Sequence, residues 1–135
     1  ILFVILNLKD QGGKTVSHNV YWLSPDNNYR TLKDLPSSSV SVSLLKTLKG
    51  KIDNNYIVRL TNNSGKIAFF LRPQLIIDDK EVLPSYWSSN YITLAPSEST
   101  TLSVACPVAR LKGKDPVIRV SGWNVNGQDL KLSSR

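Results

Sequence analysis

The chain lacks methionine and has a single cysteine and a single histidine. A single cysteine, Cys106, excludes an internal disulfide. Cys106 follows Leu102 and Val104 in an alternating run, which is typical of a small buried thiol. The missing methionine and the abrupt start at Ile1, inside an apolar run, lead us to expect a piece of a longer or processed protein.

Long hydrophobic runs are also missing. The apolar run 1–6 is too short to span a membrane and lacks the basic flank of a signal peptide, and no other stretch is long enough. The net charge is +7, but the 17 lysines and arginines are scattered, whereas a nucleic-acid-binding protein more often shows a basic stripe within a recognisable module. We therefore expect neither a membrane nor a nucleic acid as a partner.

The chain does contain a hydrophobic pattern with a period of two. Val40, Val42 and Leu44 alternate with serines, which is typical of a half-buried strand. The same spacing recurs at 56–60, 102–106 and 118–120, and helical spacing appears nowhere over a useful length. Hydrophobic residues account for 41% of the chain and charged residues for 20%, so a folded core is expected and disorder is not.

Turn-forming residues separate these apolar runs. They lie at 11–13, 24–28, 62–65, 78–80, 96–97, 112–116 and 126–127. The acidic segment 78–81 is interpreted as a hairpin tip, and Asn126-Gly127 predicts a two-residue hairpin turn because both residues tolerate positive φ. Short strands joined by such turns predict an all-β sandwich.

The composition changes near residue 24. Two apolar strands flank the turn at Gly12-Gly13, and a polar connector with two prolines follows them. We predict that residues 1–23 are the last hairpin of a preceding domain, 24–37 a connector and 38–135 a complete sandwich. A hairpin removed from its sheet exposes strand edges and an apolar face, so we expect it to dock onto the sandwich or to pair with another copy, as in a crystal dimer.

Groups that could carry chemistry are few. His18 is a lone base without a nucleophile partner, and the acidic residues nearly all sit in turns, where nothing apolar raises a carboxyl pKa for acid catalysis. No set of converging ligands and no glycine-rich phosphate loop is visible. We therefore expect no catalytic residue, no metal and no cofactor in this chain. Asn62-Asn63-Ser64 matches the N-glycosylation pattern, which at three residues is a weak signal.

The most distinctive stretch is 86–98, which opens with three large aromatics within six residues. These aromatics could join Trp123 in a stacking platform for sugar rings. The commoner role of such residues is structural, with Trp87 and Trp123 closing the ends of the sandwich. The candidate contact residues, to a sugar or to a neighbouring domain, are Tyr86, Trp87, Asn90, Tyr91 and Trp123.

Four short sequence blocks follow one another along the second part of the chain. They are Ala68-Phe69-Phe70-Leu71-Arg72, Val82-Leu83-Pro84, the stretch 87–98, and Val120-Ser121-Gly122-Trp123-Asn124-Val125. Together they resemble the C-terminal immunoglobulin-like domain of glycoside hydrolase family 2, in the branch of exo-β-glucosaminidases, β-mannosidases and endo-β-mannosidases. The segment 17–24 resembles the end of the preceding domain in those enzymes. The resemblance implies an immunoglobulin-like antiparallel β-sandwich of about seven strands, preceded by a hairpin from the neighbouring domain.

Two positions depart from the family pattern. Ser89 replaces the aspartate of Trp-Ser-Asp-Asn-Tyr, and Ser97 replaces the glycine of Pro-Gly-Glu. If the second position requires positive φ, Ser97 either occupies it at a cost of about 1 kcal/mol or adopts another turn type. Neither change removes a catalytic group, because the resemblance places the catalytic glutamates of the family in a (β/α)₈ barrel that this chain does not contain.

The resemblance therefore implies a non-catalytic accessory domain. Its partners would be the catalytic barrel and the preceding domain of the same polypeptide, in a periplasmic or secreted enzyme acting on β-mannosides or β-glucosaminides. The segments 86–91 and 122–124 are expected to face that parent enzyme, because they are more apolar than solvated loops need to be. The alternatives are a carbohydrate-binding β-sandwich module, which requires coplanar exposed rings, and an adhesion or interaction domain, which requires a flat exposed apolar patch.

Overall fold

The structure, a computed structural model, describes residues 1–132. These residues form two compact units, one comprising Ile1–Pro36 and the other beginning at Ser37. Both consist mainly of strands. Within residues 1–132, no helix has the length and apolar character that crossing a membrane requires.

The first unit is a hairpin followed by one helical turn. Strands β1 (Leu2–Lys9) and β2 (Thr15–Leu23) pair antiparallel, and a 3₁₀ helix spans Arg30–Asp34. The turn between the strands is closed by Asp10, whose Oδ1 accepts hydrogen bonds from the amides of Gly12 and Lys14, both at 2.9 Å. The predicted hairpin is therefore present. Its origin in a preceding domain, and its pairing with the sandwich or with another copy, stay predictions.

The second unit contains nine strands and one short helix up to residue 132. The elements are β3 (Val40–Lys49), β4 (Asp53–Asn62), β5 (Ala68–Ile77), β6 (Lys80–Glu81), β7 (Tyr86–Trp87), β8 (Ile92–Leu94), β9 (Ser99–Pro107), α1 (Val108–Leu111), β10 (Val117–Gly122) and β11 (Val125–Lys131). One sheet has the order β3-β4-β9-β7, and the other has the order β11-β10-β5-β6 with β8 also paired to β5. All these pairings are antiparallel. The predicted antiparallel sandwich is confirmed, with six long strands and three short ones among the described residues.

The core forms where the inward faces of both sheets supply apolar side chains to a single cluster. Alternation along β4 buries Tyr56, Val58 and Leu60, and the other long strands contribute in the same way, with Leu71, Leu75, Val104, Cys106, Ile118 and Val120. Cys106 is buried as its sequence context predicted, and burial raises the pKa of its thiol.

The turn between β10 and β11 lies elsewhere than predicted. Trp123 and Asn124 form it, and Gly122 pairs with Val125, whereas Asn126-Gly127 lies inside β11. The prediction from Asn126-Gly127 was therefore wrong. Tertiary contacts override the local turn propensity here, because Asn124 binds the backbone of Ile67 and Phe69, at the start of β5, and holds the turn three residues earlier. The segment 78–81, by contrast, forms the predicted hairpin tip between β5 and β6.

Candidate functional site

Tyr86 and Trp87 are neighbours in a strand, so their side chains point to opposite faces of the sheet. In β7 they pair with Ala105 and Val104 of β9. Trp87 packs against the core cluster, while Tyr86 is 63% exposed. The indole Nε1 of Trp87 is buried and makes no hydrogen bond within residues 1–132. Of the two roles predicted for Trp87, the structural one fits its position.

The loop after β7 is fixed to β9 before it reaches Tyr91. The amide of Ser88 donates to the Ser103 carbonyl at 2.8 Å, and the Ser88 Oγ accepts from the Ser103 amide at 3.0 Å. Asn90 then accepts a hydrogen bond from the Tyr91 amide through its side-chain Oδ1, at 3.0 Å. Tyr91 has a left-handed backbone, with φ of 53°, and its side chain is 51% exposed.

Tyr91 contacts a residue that sequence reasoning did not single out, Phe70. The register between β5 and β8 shifts between Ala68 and Leu71, and Phe70 sits in that irregularity with φ of 59°. The ring centroids of Phe70 and Tyr91 lie 4.9 Å apart, and those of Phe69 and Phe70 lie 5.3 Å apart. Phe70 is 36% exposed. The sequence signal was two successive phenylalanines in a strand that is apolar on both faces.

The turn that carries Trp123 is held against the same irregularity. The Trp123 amide donates to the Phe69 carbonyl at 2.9 Å. The side chain of Asn124 accepts from the Phe69 amide at 2.9 Å and donates to the Ile67 carbonyl at 2.8 Å. Trp123 itself is 58% exposed, so it does not close the end of the sandwich as predicted.

These contacts bring three exposed rings to one region, which we call the aromatic ridge: Phe70, Tyr91 and Trp123. The ring planes of Phe70 and Tyr91 are inclined by 39°, so this pair does not form a flat platform. The stretches 67–71, 90–97 and 121–127, which form the ridge and its surroundings, hold no charged residue, although charged residues make up 20% of the chain. The ridge is therefore apolar in an otherwise well-charged protein.

The ridge lies at the same end of the sandwich as a buried amide, Asn62. Its Nδ2 donates to the backbone carbonyls of Lys66, Leu94 and Ala95 at 2.7, 3.1 and 3.0 Å. Its Oδ1 accepts from the Ser38 hydroxyl at 3.2 Å and from the Ser64 amide and hydroxyl at 3.1 and 2.8 Å. Because Asn62 is fully buried, the glycosylation pattern at 62–64 has no room for a glycan in the folded chain.

A family model described as the exo-beta-D-glucosaminidase Ig-fold domain matches residues 19–125, a region that includes the aromatic ridge and Asn62. The chain belongs to this family.

Relatives of this Ig-fold domain family cover most of the chain. The exo-beta-D-glucosaminidase of Streptomyces avermitilis is 36% identical over 93% of the chain, and that of Amycolatopsis orientalis is 33% identical over 91%. The mannosylglycoprotein endo-beta-mannosidase of Lilium longiflorum is 30% identical over 59% of the chain and 9% of its own length. The crystal structure of the exo-chitosanase of Amycolatopsis orientalis superposes with a TM-score of 0.85 at 31% identity, covering 96% of this chain and 18% of that one.

The immunoglobulin-like fold and the resemblance to the exo-β-glucosaminidase branch are thus confirmed. The chain spans only 16% and 14% of the length of the two bacterial exo-beta-D-glucosaminidases. Most of each relative therefore lies outside the region that this Ig-fold domain matches.

Titratable groups in this Ig-fold domain are dispersed. Within residues 1–132, no group of three or more histidine, cysteine or acidic side chains converges as a metal site would require. His18 lies in the first unit, where its Nδ1 is 2.7 Å from Oδ1 of Asn7 on the paired strand.

Charged side chains collect at the other end of the sandwich. An open groove of about 410 Å³ lies there, between the β5–β6 hairpin and α1, and is lined by Ile77, Asp78, Lys80, Glu81, Val82, Leu83, Arg110 and Lys112. Its two acids are engaged, because Asp78 binds Lys114 at 2.7 Å and Glu81 binds Arg72 at 2.8 Å. The Lys114 ammonium lowers the pKa of the Asp78 carboxyl through its hydrogen bonds.

Proposed function

We propose that this chain is the non-catalytic accessory domain of a family 2 glycoside hydrolase, whose catalytic groups lie elsewhere in a longer polypeptide. The observation that carries the proposal is the match of the exo-beta-D-glucosaminidase Ig-fold family over residues 19–125. The chain spans only a small part of each relative, and this supports the proposal because the rest of each relative is long enough to contain a catalytic domain.

Among the substrates considered, the proposal favours β-glucosaminides over β-mannosides. The relatives named exo-beta-D-glucosaminidase reach 36% identity and cover more than nine-tenths of the chain. The relative named as an endo-beta-mannosidase covers 59%. Sequence similarity in an accessory domain reflects common descent of the whole enzyme, so the better-covered relatives indicate the substrate class.

Within the parent enzyme, the segments 86–91 and 122–124 are proposed to contact a neighbouring domain. Tyr91 and Trp123 support this role because they bring exposed rings to an uncharged surface. Residues 1–23 are proposed to belong to the preceding domain of the same polypeptide. Their exposed apolar side chains, among them Leu2, Leu6 and Leu8, support this because a complete domain would bury most of them.

The test is hydrolysis by the whole polypeptide that carries this chain. A 4-nitrophenyl β-D-glucosaminide and the corresponding β-D-mannoside are supplied separately, and release of nitrophenol is measured. The whole polypeptide should cleave the glucosaminide faster, and the 135-residue chain alone should cleave neither. Cleavage by the 135-residue chain alone, or by no form of the protein, would contradict the proposal.

A carbohydrate-binding module is the second candidate, favoured by the exposure of Tyr91 and Trp123. The inclination of 39° between the Phe70 and Tyr91 rings counts against it, because sugar-binding platforms align ring faces along one plane. Affinity electrophoresis of the 135-residue chain in gels containing chitosan oligosaccharides separates the two candidates. Retardation that disappears in Trp123→Ser would favour the binding module.

A further inference from the structure

The groove at the end of the sandwich away from the aromatic ridge has two defined walls. One wall is the β5–β6 hairpin, where Ile77 pairs with Lys80, and the other is α1 with the loop that follows it. Lys114, in that loop, donates to both carboxylate oxygens of Asp78 at 2.8 and 2.7 Å, so an ion pair joins the two walls. The volume of about 410 Å³ lies within the usual range for sites that bind small molecules.

The two carboxylates of the groove are engaged by cations from outside its lining. Lys114 binds Asp78, and Arg72 donates from its Nη2 to both carboxylate oxygens of Glu81, at 3.1 and 2.8 Å. Neither Lys114 nor Arg72 lines the groove. Since each lining carboxylate already has its counter-charge, the two acids do little to repel an anion.

Three cationic side chains of the lining have no such counter-charge. Within residues 1–132, no hydrogen bond or ion pair engages the side chain of Lys80, Arg110 or Lys112. After the hydrogen bonds and the charge of Lys114, the charges of Lys112 and Lys80 also lower the pKa of the Asp78 carboxyl, so both lysines act on the same part of the groove from opposite walls. Three positive charges around one groove raise the local potential and attract negatively charged ligands.

The backbone of both walls is anchored to the sandwich. Lys112 has a left-handed backbone, with φ of 53°, and the turn around it is closed by the Lys114 amide, which donates to the Leu111 carbonyl at 2.9 Å. Leu111 is 3% exposed and holds this turn in the core. On the opposite wall, the Val82 amide donates to the Leu75 carbonyl at 2.8 Å. A ligand therefore does not have to order the backbone when it binds, and this lowers the entropy cost of binding.

The rest of the lining limits the kind of anion that fits. Ile77, Val82 and Leu83 contribute apolar surface, and Val82 is buried. A small ligand in contact with this surface is partly withdrawn from water, where attraction between charges is stronger. A long polyanion would need a basic stripe that continues beyond the groove, whereas the lysines and arginines of this chain are scattered.

We propose that the groove between the β5–β6 hairpin and α1 binds a small multivalent oxyanion, with Lys80, Arg110 and Lys112 as its cationic ligands. The class comprises polycarboxylates and phosphate-bearing molecules, which share several negatively charged oxygens. One exposed ion pair contributes little, so a single negative charge is not enough, whereas three cations act together on a multivalent ligand. The inference does not depend on the proposed function, because binding of the anion involves no glycoside.

The experiment follows the backbone amide NMR signals of the isotopically labelled 135-residue chain during titration with citrate, pyrophosphate or acetate at constant ionic strength. We expect citrate and pyrophosphate to shift the signals of residues 77–83 and 110–112 saturably, with a Kd of about 1 mM. Acetate, which carries one charge, should leave these signals in place. Tighter binding of pyrophosphate than of citrate would assign the ligand to phosphate-bearing molecules, and the reverse order would assign it to polycarboxylates.

Charge-removing variants test which side chains bind the anion. Lys80→Gln, Arg110→Gln and Lys112→Gln should each weaken binding about threefold, and because these side chains are exposed, the spectra should remain those of the folded chain. Lys66→Gln is the matched control, because it removes the same charge from an exposed position outside the groove. It should leave the Kd of both anions unchanged.

The oxyanion site would be refuted by a titration in which neither citrate nor pyrophosphate gives saturable shifts up to about 20 mM. Acetate shifts as large as those of citrate would also refute it, because they would show that multivalency plays no role. An equal loss of affinity in Lys66→Gln and in the three groove variants would mean that the anions respond to the net charge of +7 and not to the groove. A chain that binds citrate or pyrophosphate as expected keeps the site even if the whole polypeptide cleaves no glycoside.

Discussion

The two ends of the sandwich are stabilised by different chemistry. At one end, which we call the amide end, Asn62 and Asn124 bind backbone groups of neighbouring strands, and Asn62 is fully buried while Asn124 is partly buried. At the other, the charged end, Lys114 and Asp78 pair at 2.7 Å with most of each side chain exposed. Contacts of similar length therefore differ greatly in what their loss costs, because burial decides how well water can replace a partner.

The two ends also differ in the chemistry of their exposed surfaces. The amide end leaves aromatic rings exposed and carries almost no charge, whereas the charged end is covered by solvated lysines and acids. A surface of the first kind is typical of an interface, and one of the second kind is typical of contact with solvent. The following predictions test whether the ends differ as much as their chemistry implies.

Removing the Asn62 side chain should have the largest effect. Asn62→Ala leaves the buried carbonyl of Leu94 and the partly buried carbonyl of Ala95 without their side-chain amide donor, and we expect the free energy of unfolding to fall by about 3 kcal/mol. Urea unfolding of the chain, followed by tryptophan fluorescence, measures it. The matched control is Asn63→Ala, at the exposed neighbouring position, which should change stability by less than about 0.5 kcal/mol. A loss below about 1 kcal/mol in Asn62→Ala would mean that water replaces the amide, and that the amide end is no better shielded than the charged end.

Closing the space at Gly122 should have the next largest effect. A Cβ there meets Leu71 Cδ2 at 2.8 Å and the Phe69 carbonyl oxygen at 3.0 Å, so Gly122→Ala should cost about 2 kcal/mol. Gly127→Ala is the control, because its Cβ would meet nothing within 4 Å. Denaturant unfolding of both variants checks the prediction. Equal stability of the two would show that the β10–β11 turn does not pack tightly against the aromatic ridge.

How far the sequence predicts each end depends on whether the information is local. Period-two alternation predicted the strands around Val58 and Val104 and the burial of Cys106, because burial of one face imposes that period. The β10–β11 turn was misplaced because Asn124 binds residues 55 and 57 positions away, and nothing in the local sequence of Asn126-Gly127 reports such contacts.

The candidate site shows the same limit. Tyr91 and Trp123 were singled out from their residue types, whereas Phe70 was missed. Its exposure follows from a register shift between β5 and β8, which is a property of the strand pairing. Two apolar faces in a strand predict burial on both sides, so only the pairing could reveal that one ring remains in solvent.

In the turn after β8, a substitution should increase the stability of the chain, by less than the substitutions at Asn62 and Gly122 decrease it. Ser97 has φ of 63°, as expected if the family glycine serves a positive-φ position, and Ala95 accepts the Glu98 amide across the turn at 3.1 Å. Ser97→Gly should raise the free energy of unfolding by about 0.5 kcal/mol, because relief of about 1 kcal/mol of strain is partly offset by the freedom of glycine in the unfolded chain. Ser97→Ala keeps the strain and should bring no gain. A stabilised alanine variant would assign the effect to the hydroxyl instead of the backbone.

The smallest effect is expected at the charged end, where it should appear as pH dependence. Lys114 lowers the pKa of Asp78 below its usual value, first through hydrogen bonds and then through its charge. A lowered pKa in the folded state means that the contribution of Asp78 is present at neutral pH and above the ordinary carboxyl pKa. It is lost as the pH falls through the folded-state pKa. Asp78→Asn should therefore be less stable than the unmodified chain at pH 7, and the gap should close towards pH 3.

The neighbouring Asp79 provides the control for this prediction. Asp78 and Asp79 share the left-handed backbone, with φ of 50° and 58°, so asparagine relieves the same strain at both positions. Within residues 1–132, no ion pair involves Asp79, so Asp79→Asn should cost less stability at pH 7 than Asp78→Asn. Added salt should narrow the Asp78→Asn gap at pH 7, because exposed pairs are screened. A gap that persists in high salt and at low pH would mean that this pair is shielded from water, and the contrast between the two ends would then fail at the charged end.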